Sequence, residues 1–147
     1  MENKINIDYR EIAVELAKFI DNGQVACAIY KDQTVLIHQA RGVEPMVDFW
    51  SVGDLKDAVV CDKVIGKASA MFLVSGEAVY VHGHVMSQLA ADFLRKNNIE
   101  YDYDQLVDKI QNRQGDGLCP MESAVENIDD IKEGIDIILK KSKELSK

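Results

Sequence analysis

This chain of 147 residues has few of the features that staple small proteins together. Its three cysteines, Cys27, Cys61 and Cys119, are widely spaced and odd in number, which does not suit a secreted disulfide framework and points to a reduced compartment. Only two prolines occur, and Pro45 and Pro120 both stand where a helix can begin. No stretch approaches the ~18 apolar residues of a membrane span, and the opening MENKINIDYREIAVE has no apolar core of a secretory signal. A cytoplasmic protein with no membrane partner is expected. Cations are the minority, 17 Lys and Arg against 25 Asp and Glu for a net charge of −8, which argues against general attraction to nucleic acid. Internal repeats, low-complexity tracts and long linkers are also missing, so residues 1–147 are expected to form a single domain with a C-terminal helical extension.

What is present is an ordinary globular mixture, 47% apolar and 29% charged, long enough to bury about two thirds of the unfolded surface without metals or disulfides. Ile12, Leu16, Phe19 and Ile20 recur at helical spacing, with Asp8 placed to cap and Asn22-Gly23 placed to stop the helix. Two β-branched runs, 25–30 and 34–39, flank Lys31-Asp32-Gln33 and predict a hairpin. Pro45 begins a short helix through Met46, Phe49 and Trp50 that ends near Gly53, with Trp50 expected in the core. The run 57–61 reads as a strand leading directly into a helix capped by Asp62, whose small residues Gly66, Ala68, Ser69 and Ala70 allow close packing. Lys63 and Lys67 then fall i, i+4 on one face of that helix. A strand over 78–82, a helix from Gln88 to Lys96 capped by Ser87 and stopped by Asn97-Asn98, and a strand over 99–103 follow. Gln105 to Ile110 reads as a turn of helix, and a last helix runs from Asp129 or Asp130 to Leu145. This order predicts an α/β fold of three layers, α/β/α, with a mixed sheet of about five strands.

Chemistry concentrates in NRQGDGLCPME, residues 112–122. Pro120 suits the first turn of a helix, leaving Cys119 at its cap, where the helix dipole and a folded-back Arg113 would favour thiolate. The plainer alternative is a helix start with Glu122 as reciprocal cap and Cys119 as a small buried group. His82 and His84 flank Gly83, but no third ligand at a zinc spacing accompanies them; neither a metal nor a cofactor is expected.

Taken together, CDKVIGKASA, VYVHGHVMSQLAADFLRKNNIEY and NRQGDGLCPME resemble a small bacterial and archaeal family of uncharacterised proteins, a domain of unknown function within the cytidine deaminase-like superfamily. The resemblance covers roughly residues 24–125. Zinc deaminases carry a His or Cys before Ala-Glu and a later Pro-Cys-x-x-Cys. By order of elements these positions fall here at Gly42-Val43-Glu44 and Asp62-Lys63-Val64-Ile65, so a Glu remains at 44 but the zinc ligands do not. The resemblance therefore implies the fold without hydrolytic deamination, and a homodimer through the sheet edge or a helix face is in keeping with it. The expected site gathers Cys119 as nucleophile, Asp62 and Lys63 as the polar pair, and Lys67, Asn112, Arg113, Glu122 and Glu44 as ligand-binding groups around a small anionic, nucleotide-like metabolite. A non-catalytic sensor and an interaction module remain as alternatives.

Overall fold

The computed structural model describes residues 8–21, 25–40, 42–112 and 114–145. Helix α1 (Tyr9–Asp21) begins where Asp8 Oδ1 accepts hydrogen bonds from the N–H groups of Arg10 and Glu11 at 3.0 and 3.3 Å, the expected cap. The expected Asn22-Gly23 stop lies outside the described residues. Strands β1 (Cys27–Lys31) and β2 (Thr34–His38) pair antiparallel, and Asp32 and Gln33 between them take φ values of 49° and 64°, the left-handed pair of a two-residue hairpin turn. Helix α2 (Glu44–Ser51) carries Pro45 in its first turn. Trp50 packs edge-on against Phe72, with ring centroids 5.2 Å apart, and donates its indole N–H to Ser75 Oγ at 2.9 Å. Strand β3 (Val59–Ile65), helix α3 (Lys67–Ser75), strand β4 (Tyr80–Ser87), helix α4 (Gln88–Lys96) and strand β5 (Glu100–Val107) follow, and the chain closes with α5 (Pro120–Val125) and α6 (Ile131–Leu145).

The five strands form one sheet in the order β2-β1-β3-β4-β5, antiparallel on the hairpin side and parallel from β3 to β5. Helix α1 lies on one face, packing Ala13, Leu16 and Ile20 over Ala28, Val59, Cys61 and Tyr80. Helices α2 to α6 cover the other face, where α3 is buried along most of its length, as expected of a helix apolar all round. The result is the expected three-layer α/β/α arrangement.

Strand lengths depart from expectation, and the departures matter. Residues 62–65 continue β3 instead of opening a helix, so Asp62 is not a helix cap: the cap position belongs to Gly66. Lys63 is a strand residue and Lys67 the first residue of α3, so the two do not share a helical face. Strands β4 and β5 likewise run on together, pairing as far as Ser87 with Val107, and Gln105 continues a strand where a helical turn was expected. The extension is cooperative, because each lengthened strand supplies the ladder partners of the next. A slip in alternation comes with it. Val60 and Ile65 enter the same core, as do Val81 and Met86, although five residues separate each pair and strict alternation would put them on opposite faces.

Helix α6 lies so close to α3 that a Cβ added at Gly134 would stand 2.2 Å from Met71 Sδ, in a side chain with no exposure. Gly134→Ala raises intrinsic helix propensity by about 1 kcal/mol yet is expected to lower stability in urea denaturation, since overpacking costs about 1–3 kcal/mol. A more stable variant would mean that the two helices separate freely.

Candidate functional site

Two polar constellations occupy opposite faces of the sheet. The first is built around Glu122, 3% exposed on α5. Its Oε2 accepts the Lys67 N–H at 2.7 Å, the first amide of α3, and the Ser87 hydroxyl; its Oε1 accepts the Ile110 N–H at 2.8 Å. Ser87 Oγ in turn accepts the Ala90 N–H at 3.1 Å, capping α4. One carboxylate therefore satisfies groups at two helix N-termini and in the loop after β5, so it is not the reciprocal cap of its own helix. Gly66 makes room for it, since a Cβ there would lie 2.8 Å from Oε2.

The other residues singled out from the sequence surround this knot or stand apart from it. Lys67, 4% exposed, directs Nζ to the Glu126 carbonyl at 2.9 Å and Asp129 Oδ1 at 3.1 Å, and lies 5.6 Å from the Phe93 ring centroid. That hydrogen bond, and then the Lys67 charge, holds the Asp129 carboxyl below the usual range. Cys119 is half-buried at the cap of the six-residue α5, its N–H bonded to the Ile110 carbonyl at 2.8 Å. Asn112 clamps the loop: its amide donates to Asp116 Oδ1 at 2.9 Å and its Oδ1 accepts the Asp116 N–H at 3.2 Å. Arg113 lies outside the described residues. Glu44 is exposed in the first turn of α2. Among the described residues, no hydrogen bond or ion pair joins Cys119 to Asp62 or Lys63.

Asp62, 4% exposed, sits mid-strand beside Cys27 of β1. Burial raises its pKa to about 8 against the opposing pull of the Val64 and Lys63 N–H groups, and Oδ2 has no hydrogen-bond partner among the described residues. Burial thus favours the protonated carboxylic acid over the carboxylate. Burial also pushes the Cys27 thiol well up.

The second constellation lies on the α1 face, across the middle of the parallel strands β4 and β5. His82 of β4 stands opposite Asp102 of β5 and hydrogen-bonds Oδ1 through Nδ1. Its Nε2 is 3.3 Å from Asp104 Oδ2, which also bonds His84 Nδ1 at 2.9 Å. Arg10, in the first turn of α1, extends the chain with Nε 3.6 Å from Asp102 Oδ2. The His84 hydrogen bond keeps the Asp104 carboxyl low, while burial and then Asp102 push the Tyr80 hydroxyl up. In register, Cys61, His82 and Asp102 form a row of thiol, imidazole and carboxylate across three strands. That row is not a nucleophilic triad: burial, with Asp62 next, drives Cys61 to about 12, and both His82 nitrogens face carboxylates. His84 differs. Its side chain is 62% exposed, Asp104 holds Nδ1, and among the described residues nothing bonds Nε2. The pairing of Asp62 with Gly83 and of Val64 with Val85 sets Lys63 beside it in the sheet.

Reading the sequence for motifs singled out His82 and His84 but missed Asp102, Asp104 and Arg10. The signal was there as two period-two patterns, His-Gly-His at 82–84 and Asp-Tyr-Asp at 102–104, on strands joined by one helical crossover. No three His, Cys, Asp or Glu side chains among the described residues are grouped so as to hold a metal ion, and no helix among them is long and apolar enough to cross a membrane.

The family model TM1506, a domain of unknown function (DUF1893), matches residues 15–141, and the chain belongs to that family. The crystal structure of a DUF1893 family protein, TM1506 from Thermotoga maritima, is similar with a TM-score of 0.83 over 96% of this chain and 97% of that one. The two sequences are 23% identical, a likeness that carries the fold. No curated protein matches the chain in sequence.

Two outcomes test the buried carboxyls. Glu122→Ala strands two N–H groups and a hydroxyl and is expected to cost about 3 kcal/mol or more in urea denaturation, whereas a loss near zero would mean that water replaces the carboxylate. Asp62 keeps its proton when folded up to pH about 8, whereas the unfolded chain releases it above pH ~4. The folded state thus binds the extra proton across that window, and stability falls as pH rises, by up to about 1.4 kcal/mol per unit. Asp62→Asn removes this component, so wild type minus variant, measured by denaturation from pH 5 to 8, is expected to slope downward; a flat difference would place the ionised form in the fold.

Proposed function

We propose that this DUF1893 chain is a deaminase-like domain without zinc chemistry that binds a small anionic metabolite across the middle of β3, β4 and β5, on the α1 face. The observation that carries this reading is the register that sets Lys63 next to His84 in the sheet, with the His84 ring held by Asp104 on a side chain 62% exposed. Within a chain of net charge −8, the Lys63 ammonium is a local home for a phosphate or carboxylate, with the His84 ring beside it.

The N-terminus of α3, near one of the two helix starts that the sequence offered as the anion site, receives the internal carboxylate of Glu122, as does the Ser87 cap of α4. An external anion would have to displace a buried group that holds three donors, so the α1 face is the better candidate. Cys119 and the loop around Asn112 then serve the knot rather than the ligand.

Thermal shift with inorganic phosphate, nucleoside monophosphates and dicarboxylates is expected to show stabilisation by at least one, and Lys63→Gln and His84→Gln to weaken that ligand roughly tenfold or more each. Stabilisation that both variants leave intact, or none from any member of the panel, would overturn the reading.

A further inference from the structure

Beyond ligand capture, the geometry points to a catalytic role for His84: its Nε2 acts as general base toward water in hydrolysing a carboxylic ester whose acyl part bears an anionic group. This inference rests on the anion reading above for Lys63 and adds the chemistry of the neighbouring ring. An imidazole becomes an effective base when a carboxylate fixes one nitrogen as donor and turns the other toward the substrate. Asp104 does this to His84 at 2.9 Å, leaving Nε2 without a partner among the described residues on a side chain 62% exposed. Asp104 is itself positioned, because His82 Nε2 faces the same Oδ2 at 3.3 Å while His82 Nδ1 is tied to Asp102 and Asp102 to Arg10. The order Arg10, Asp102, His82, Asp104, His84 runs along the α1 face, and of its two imidazoles only that of His84 has an unengaged nitrogen among the described residues.

Other nucleophiles fit less well. Cys27 and Cys61 are buried thiols held in the protonated form, and Asp62 is sealed beneath the sheet surface.

The step balances without a cofactor. Water gives a proton to Nε2 as its oxygen bonds to the ester carbonyl carbon. The tetrahedral adduct then collapses, the bond from carbon to the alcohol oxygen breaks, and the departing oxygen takes the proton back from Nε2. Lys63, beside His84, holds the anionic end of the acyl group.

The test uses the intact chain with two chromogenic probes, p-nitrophenyl hydrogen succinate and the uncharged p-nitrophenyl acetate. Hydrolysis of the succinate is expected to exceed that by an equal concentration of free imidazole by about 100-fold or more, and His84→Gln to abolish the excess. Asp104→Asn, a positioning change, is expected to lower kcat about tenfold or more with KM little altered. Lys63→Gln is expected to raise KM for the succinate about tenfold or more. Hydrolysis no faster than free imidazole, or unchanged in His84→Gln, would overturn the inference. Phosphate or dicarboxylate binding that persists without turnover would leave the anion reading standing, whereas His84-dependent acetate hydrolysis without anion binding would do the reverse.

Discussion

The structure depends on one buried carboxylate. Glu122 comes from a six-residue helix too short to stand on its own propensity, yet it reaches the start of α3, the Ser87 cap of α4 and the loop after β5. A charged group is tolerated in such a place only when its oxygens are fully engaged, and here the donors come from three separate parts of the chain. The same contact explains the glycine at 66, where any side chain would meet the carboxylate. Lys67 reinforces it from the next position by tying α3 to the Glu126 carbonyl and Asp129. The C-terminal segment is thus bound to the centre of the fold by polar contacts at one end of α3 and by the close approach of Gly134 to Met71 nearer its middle.

That arrangement leaves the opposite face of the sheet for other purposes. A single helix, α1, covers it, packing chiefly on β1, β3 and β4, and the middle of β4 and β5 carries His82, His84, Asp102 and Asp104 at its margin, where Arg10 of α1 meets Asp102. On the covered face such side chains would need buried partners; on the open one they partner each other across neighbouring strands. The slip in alternation between Asp62 and Ile65, and between Gly83 and Met86, lets the strands return apolar residues to the core after presenting Lys63 and His84.

Much of the fold was legible because its signals are local. Asp8, Ser87 and Asn97-Asn98 bound helices where side-chain chemistry demands it, and the left-handed pair Asp32-Gln33 closes the hairpin. The strand ends were not legible, since DKVI is as compatible with a helix start as with a strand and only pairing with β4 decides. The role of Glu122 was hidden for a related reason: its partners lie 12, 35 and 55 residues away in sequence, whereas the capping pattern looks three residues away. Cys119, by contrast, does sit at the cap that Pro120 announced.

The two constellations divide labour in a way that their chemistry requires. A carboxylate saturated by three donors has no capacity left for a passing ligand, so the better Glu122 holds the fold together, the worse it serves as a site. A chain of imidazoles and carboxylates ending in an open nitrogen has the opposite property: each inner pair is satisfied by its neighbour, and what remains unsatisfied is delivered to the surface at His84. Rigidity in the inner members then aims the outer one, since His82 cannot turn without leaving Asp102 or Asp104, and Asp104 cannot turn without leaving a histidine. The lengthening of β4 and β5 beyond what their sequences announced is therefore the structural condition for any chemistry on this face of the sheet, because strands that stopped at residues 82 and 103 would carry neither His84 nor Asp104.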